Sequence, residues 1–339
     1  MLSLREADEI RLSDAYAPDP AGWLSPEIAV VVLTGERPLR TLWMLNALEE
    51  QTLDFAAWEA VLPLRHDHEQ SNALLREHKL VEVGHARCVF VDRLMHPGEI
   101  RNAAWRLTGA PWVAFVDTEM RLPAHWLERV LQSCQAHPTA ILEGPVEPDP
   151  TEGTLAREPF CITRRWHPPT TLAPSVNVVY PRVLLERLGG CNEQVNSDEL
   201  SAIDLAARAV RAGALRASNP ELTAYASVRR VSLRRQVRAI LPTRDLPWAL
   251  RRYPELRATV PFRILKRRSH AAMATAVAGV LLTPRLRGAV LLAAPWVLAS
   301  AWPVNPAQMP GRVVRRMVED LSEIVLLAWG SVRHHALML

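Results

Sequence analysis

Runs of consecutive apolar residues alternate with segments in which leucine and valine recur every three or four positions. This alternation organises the first two thirds of the chain. Ile28 to Thr34 is apolar almost throughout, the pattern of a strand buried on both faces. Gly35-Glu36-Arg37-Pro38 breaks it, and Pro38 sits where a helix can start. Leu39, Leu42, Leu45 and Leu48, with Trp43 and Met44, then keep helical spacing as far as Gln51-Thr52. Ala57 to Leu64 and Arg87 to Asp92 predict two more strands, with a short helix over 72–79 between them. A helix over 99–107 follows the Pro97-Gly98 turn and leads through Gly109-Ala110-Pro111 to a strand at Val113 to Val116. Trp126, Val130 and Leu131 mark the next helix, and 140–146 the next strand. Residues 147–175 are rich in proline and predict a long loop region. A short strand at 177–180, a helix over 183–188 ended by Gly189-Gly190, and a helix over 200–212 closed by Gly213 complete the series. Strands and helices in this order predict a doubly wound, mostly parallel α/β sheet.

From residue 217 the pattern changes. Residues 217–268 are arginine-rich and punctuated by five prolines. Val231 to Arg238 and Trp248 to Tyr253 place Leu, Val and Trp on one side and Arg on the other, as basic amphipathic helices do. Two apolar stretches follow, 271–283 and 286–302, separated by Pro284-Arg285; the second contains Pro295. Each falls short of the roughly 20 residues that a membrane-spanning helix needs. A helical hairpin dipping into the cytoplasmic leaflet fits them, with Trp296 and Trp302 at the interface. In the final stretch, 313–330, residues Val314, Met317, Val318, Leu321, Ile324, Val325 and Ala328 share a face suited to a bilayer or a partner. A soluble helical subdomain is the alternative for all three helices. The chain is thus expected to comprise an N-terminal extension (1–25), an α/β domain (26–216), basic connecting helices (217–268) and an apolar helical, membrane-associated region (269–339).

Composition adds direction. With 339 residues, 49% of them hydrophobic, the chain can bury one large core or two smaller ones. The net charge of +4 is unevenly spread: 229–268 carry +11, 269–339 carry +3, and the first 228 residues about −10. An acidic α/β part is a poor nucleic-acid binder, whereas a basic block leading into an apolar region suits a membrane surface. The four cysteines form no CxxC pair, so neither a zinc site nor a disulfide framework is indicated. Met1 to Asp19 is polar and mixed, without the order of a secretion signal. A reduced setting, on the cytoplasmic side of the cell membrane, is expected.

Chemistry concentrates at Asp117-Thr118-Glu119. An apolar run ends there in two carboxylates spaced i, i+2, at the strand end where an open α/β sheet places its ligands. Two acids so placed can share a divalent cation that also holds substrate phosphates. A solvated acidic turn would look the same in isolation.

The ordered landmarks decide between these. Ile28 to Thr34, Arg37-Pro38, Ile100-Arg101-Asn102-Ala103-Ala104, Val113 to Glu119 and Pro123 to Glu128 follow one another at plausible spacing. Asn177-Val178-Val179-Tyr180, Leu188-Gly189-Gly190 and Asp204 to Gly213 continue the series. Over roughly residues 26–216 it resembles the family 2 glycosyltransferases, nucleotide-sugar enzymes of the GT-A fold. The Arg-rich segments after 228 resemble those of membrane-associated members. The resemblance implies a nucleotide-sugar donor, a sugar, lipid or small-molecule acceptor, and Mn²⁺ or Mg²⁺ on Asp117 and Glu119. It implies donor contacts from Thr34, Glu36, Arg37 and Asp67, with Arg101 near the diphosphate, and it points to Asn102 and Asn177 as further substrate contacts.

Two departures stand out. The family's base-reading Asp-Asp-Gly-Ser segment is replaced by Leu64-Arg65-His66-Asp67-His68, in which only Asp67 offers a displaced carboxylate. Ser201-Ala202 occupies the place of the family's Glu-Asp general base, while Asp198 and Glu199 lie three residues upstream. Either of these serves as the base after a local shift, or both are helix N-terminal acids placed for the dipole. The chain is therefore expected to be an inverting glycosyltransferase. The alternative is a catalytically impaired relative acting as a binding or scaffold subunit. A nucleotidyltransferase would need a glycine-rich phosphate loop, which Gly35-Glu36-Arg37 is not.

Overall fold

The computed structural model describes residues 26–339 except 36, 66–74, 93, 157, 159, 171 and 302–308. The N-terminal extension, Glu36, Asp67 with its flanking histidines, and Trp302 lie outside the described residues. The chain divides into two compact units: Met1–Asp149 with Arg164–Ser227, and Pro150–Thr163 with Val228–Leu339.

The first unit is built on a seven-stranded sheet. Its strands are β1 (Ile28–Leu33), β2 (Trp58–Arg65), β3 (Ala86–Val91), β4 (Trp112–Asp117), β6 (Ile141–Glu143), β8 (Val178–Pro181) and β9 (Arg216–Ser218). They lie in the order β9-β6-β8-β4-β1-β2-β3. All neighbours pair in parallel except β8, which runs antiparallel to both β4 and β6. The mostly parallel sheet of the sequence reading is therefore present. A second, three-stranded sheet joins β5 (Met120–Arg121), β10 (Ala224–Ala226) and β7 (Val146–Pro148).

Alternation along β1 explains why this sheet needs cover on both faces. Ile28, Val30 and Val32 belong to one apolar cluster, with Ala114 and Val116 of β4; Val31 joins Val113 and Phe115 in the other. The first face is covered by α1 (Pro38–Glu49), through Met44, Leu45 and Leu48, and by α4 (Trp126–Ala136). The second is covered by α3 (Pro97–Trp105), α5 (Arg182–Leu188) and α6 (Asp198–Arg211). A short helix, α2 (Lys79–Glu82), precedes β3.

The second unit is helical. Its segment Pro150–Thr163 contributes Cys161–Ile162, which pairs antiparallel with Arg229–Arg230. The helices are α7 (Leu233–Ile240), α8 (Leu246–Arg252), α9 (Arg268–Leu282), α10 (Ala294–Ala301) and α11 (Met309–His334), with a 3-10 turn at Arg287–Ala293. Among the described residues no helix is long and apolar enough to cross a membrane. The expectation for Trp296 is corrected: it is 5% exposed rather than interfacial, because its indole N–H donates to Asp320 Oδ2 at 2.9 Å.

Asp320 and Glu323 are buried on α11; the cations that match Glu323 come from elsewhere in the unit, and Asp320 is matched from one turn earlier on α11. Glu323 Oε1 accepts from Lys266 Nζ (3.2 Å) and pairs with Arg267 (3.2 Å), while Oε2 meets His270 Nε2 at 3.0 Å. Asp320 pairs with Arg316 at 3.3 Å. His270, Asp320 and Glu323 also bring ligand atoms within 4.8 Å of one another, close enough for a metal ion. Three cationic side chains already neutralise the two carboxylates, so the arrangement is that of an ion-pair network.

Candidate functional site

The register of β1 on β4 builds the site. Leu33 lies opposite Asp117, so the two strands end together and their following residues meet. Thr118 N–H donates to Leu33 O (3.1 Å) and Gly35 N–H to Thr118 Oγ1 (3.0 Å), which ties the two turns to each other. Thr34 Oγ1 donates to Pro63 O at the end of β2. A cleft of about 200 Å³ opens at these strand ends, lined by Thr34, Gly35, Asp117, Thr118, Glu119 and Asp198 among others. This is where a doubly wound sheet presents ligand-binding groups.

Each acid of the cleft has a guanidinium against it. Arg164 Nη2 donates to Asp117 Oδ2 at 2.6 Å, and Asp117 Oδ1 accepts the Glu119 N–H at 3.1 Å. Burial pushes the Asp117 carboxyl above its ordinary range, against the opposing pull of Arg164. Glu119 receives a fork from Arg37, whose Nε donates at 2.9 Å, and accepts the Ser227 hydroxyl at 2.6 Å. Arg101 Nε and Nη2 both donate to Asp198 Oδ1, at 3.0 and 2.7 Å. These three pairs differ in setting. The Arg101 side chain is 3% exposed, held also by Ser175 O (2.7 Å) and stacked over Phe115, whereas the Asp198 side chain is 43% exposed. The pair is thus a fixed cation beneath an accessible carboxylate.

The donor set suits a hard divalent cation. Two carboxylates at a strand end, beside a cleft with room for phosphate oxygens and water, are what Mn²⁺ or Mg²⁺ takes. Asp117 and Glu119 would hold it, sharing their lone pairs with Arg164 and Arg37.

The remaining expected site residues fall into place differently. Arg101, Asn102, Asn177 and Glu199 are not among the residues lining the cleft. Glu199 lies in the first turn of α6, half-buried, behind the Ser197 N-cap. Ser201 and Ala202 are buried, whereas Asp198, three residues upstream of Ser201, lines the cleft.

Asn102 and Asn177 are clamps. Asn102 Nδ2 donates to Cys191 O (2.9 Å) and Glu193 Oε1 (2.7 Å); its Oδ1 accepts from Cys191 N (2.8 Å) and Trp105 Nε1 (2.9 Å). Gly190 sits against this amide at φ +78°, where a Cβ would collide with Asn102 Oδ1. Asn177, at φ 55°, donates to Pro145 O and Leu222 O and accepts from Trp126 Nε1. Asn102→Ala is expected to lower unfolding free energy by about 2–4 kcal/mol, because two buried N–H groups lose their acceptor. Urea denaturation checks this, and nucleotide affinity measured below the transition should be unchanged.

Arg164 and Ser227 were not anticipated. Arg164 follows a two-residue strand inside the proline-rich stretch, with no periodicity to mark it. Ser227 ends the Ala224-Tyr225-Ala226 strand, and its N–H donates to Glu119 O at 2.8 Å.

No model of a known protein family matches the sequence, and no curated protein matches it either. Solved structures do. A mannosyltransferase from Pyrobaculum calidifontis, solved with GDP-Man and Mn²⁺, has a TM-score of 0.53 at 17% identity, over 92% of this chain and 89% of that one. Residues 1–349 of S. aureus TarS give 0.51 at 14% identity, over 91% and 92%. The TarS complex with UDP-GlcNAc gives 0.50 at 15%, over 91% and 92%. At such identities the likeness is one of architecture: the chain has the fold of this mannosyltransferase and of TarS.

Proposed function

We propose that the chain is a glycosyltransferase. It moves a sugar from a nucleotide-sugar donor to an acceptor hydroxyl with inversion, aided by Mn²⁺ or Mg²⁺, at the cytoplasmic face of the membrane. One observation carries the reading. Asp117, Glu119 and Asp198 meet around a single cleft at the strand ends of a sheet with the fold of a mannosyltransferase solved with GDP-Man and Mn²⁺.

The cleft acids divide the work. Asp117 and Glu119 would hold the cation, which when bound neutralises charge on the departing nucleoside diphosphate. Thr34, Gly35 and Thr118 line the donor side of the cleft. Arg37 and Arg164, paired with the two acids, can also pair with phosphate oxygens. Asp198 Oδ1 is anchored by Arg101, and among the described residues no protein donor bonds Oδ2. That oxygen takes the proton of the attacking hydroxyl as general base. Arg101 is a positioning residue, fixing where the carboxylate points.

A second reading keeps the fold but not the chemistry, making the chain a binding subunit. The pairing of both metal-site acids with guanidiniums favours it.

Calorimetric titration of the purified chain with UDP and GDP tests the proposal. Binding that requires Mn²⁺ or Mg²⁺ is expected, together with donor turnover; Asp117→Ala should weaken the first at least about tenfold and abolish the second. If no nucleoside diphosphate binds in the presence of either metal, the proposal fails. Metal-dependent binding without turnover would select the subunit reading. A pH series adds a signed check. The ligand must be deprotonated to hold a metal, and burial raises the Asp117 pKa while Arg164 lowers it. Affinity should therefore fall on acidification sooner than for an ordinary carboxylate. Arg164→Gln should move that loss to higher pH.

A further inference from the structure

The second unit wears its apolar residues outside. On α9, the 3-10 turn and α10, the side chains of Val280, Leu281, Val290, Leu291 and Leu298 are exposed, Leu291 by 72%, as is Leu286 between α9 and the turn. These elements pack closely on one another, with Gly279 of α9 directly against Ala289 O. The hairpin therefore has an inner side, where Met273, Ala276 and Trp296 are buried, and an outer side left apolar. The helix α11 repeats the inversion. Val314, Met317, Leu321 and Val325, spaced to share one helical face, are exposed, Val325 by 65%. Asp320 and Glu323 point inward instead, onto Lys266, Arg267, His270, Arg316 and Trp296. A helix in water places these faces the other way round. Ionisable groups turned inward and paired, with aliphatic groups turned outward, is the arrangement of protein against lipid.

Charge names the lipid. From 256 to 318 the sequence contains no Asp or Glu and ten Arg or Lys. Two of these, Arg285 and Arg287, are exposed at the turn of the hairpin, beside Leu286. A second copy of the chain would bring the same cations to the same surface and be repelled. An anionic leaflet brings the opposite charge and an apolar interior together.

We propose that the α9–α10 hairpin and the exposed face of α11 embed in one leaflet of an anionic phospholipid bilayer. Leu281 and Leu291 enter the acyl region, and Arg285 and Arg287 lie at the phosphates. Attachment is to one face only, since among the described residues no helix is long and apolar enough to cross. This rests on the membrane-face part of the proposed function and adds the surface and the lipid class that it takes.

Vesicle co-sedimentation of the full chain tests the inference. Vesicles of phosphatidylcholine alone are compared with vesicles containing phosphatidylglycerol. Binding to the anionic vesicles is expected, and the double variant Leu281→Asp, Leu291→Asp should weaken it at least about tenfold. Both positions are exposed, and an unchanged thermal transition verifies that the variant is folded. Depth is read separately. All four native cysteines are buried, so a polarity-sensitive fluorophore can be placed on Leu291→Cys alone. Its emission should shift to the blue on anionic vesicles and be quenched by acyl-chain spin labels. The same label on Leu215→Cys, an exposed position of the first unit, should not respond. Binding that survives the double variant with an unquenched label at 291 overturns the hairpin assignment and leaves the membrane-face reading standing. Equal binding to neutral vesicles overturns the anionic requirement. Absence of binding to any vesicle overturns both, as does concentration-dependent dimerisation that the double variant abolishes in a chain ignoring vesicles.

Discussion

Replacing Asp198 with Asn is expected to lower sugar transfer about a thousandfold while changing nucleoside diphosphate affinity by less than about twofold. The substitution keeps size and hydrogen bonding at Oδ1, so Arg101 still has an acceptor, but among the described residues it removes the one cleft-lining carboxylate not assigned to the metal. Glu199→Gln is expected to leave turnover near the original, because Glu199 sits behind the cap of α6 and does not line the cleft. Steady-state kinetics should place the Asp198→Asn loss in kcat rather than KM. Equal losses in the two variants would remove Asp198 from the role of base. Comparable weakening of nucleotide binding by Asp198→Asn would instead make Asp198 a donor-site residue.

The second large effect is on stability. Glu323 is buried in the second unit and its pKa lies at about 2. Burial pushes it upward, but the His270 hydrogen bond, Lys266 and Arg267 together outweigh that influence. The unfolded value is near 4.5, so the folded state favours the carboxylate. That preference contributes about 3 kcal/mol above pH 4.5 and is lost as pH falls through the folded value, with roughly 2 kcal/mol gone by pH 3. Glu323→Gln should cost about 3–5 kcal/mol at pH 7, since it strands the half-buried Lys266 and the buried His270. The variant's own stability should then change less between pH 7 and pH 3. Urea denaturation of both proteins at the two pH values checks this; parallel losses on acidification would place the acid sensitivity elsewhere.

Much of the first unit was legible because its strands are short, apolar and separated by turn residues. Ile28 to Thr34 and Val113 to Val116 are buried on both faces, and continuous apolar runs mean that in any fold. The acid pair was legible for the same reason: a strand that stops at Asp117 delivers Thr118 and Glu119 to its end. What surrounds the pair was less accessible. Arg164 reaches Asp117 from 47 residues away and Ser227 reaches Glu119 from 108 away. No local period records such closures. Arg101 and Asn102 stand together in one motif yet differ in task, one orienting a carboxylate and the other clamping the 189–193 turn. Only burial and partners separate them. The helix α11 is the sharpest case. Its apolar face was plain in the sequence, but periodicity says that two faces differ, not which of them is covered. The covering is decided by Lys266, Arg267 and His270, more than 50 residues earlier.

The path of the chain has a consequence for how the protein can be divided. The backbone leaves the first unit after Asp149, enters the second for Pro150–Thr163, and returns at Arg164, the residue that meets Asp117. Within the second unit Cys161–Ile162 pairs with Arg229–Arg230, Val231 N–H donates to Phe160 O, and Arg315 donates to Cys161 O. No single cut separates the units. A chain ended at 227 would retain Cys161–Ile162 without its partner strand, two residues before the arginine that meets Asp117. During synthesis the segment emerges and must wait for more than 60 further residues before its partner strand exists. The helical unit is therefore not a detachable tail.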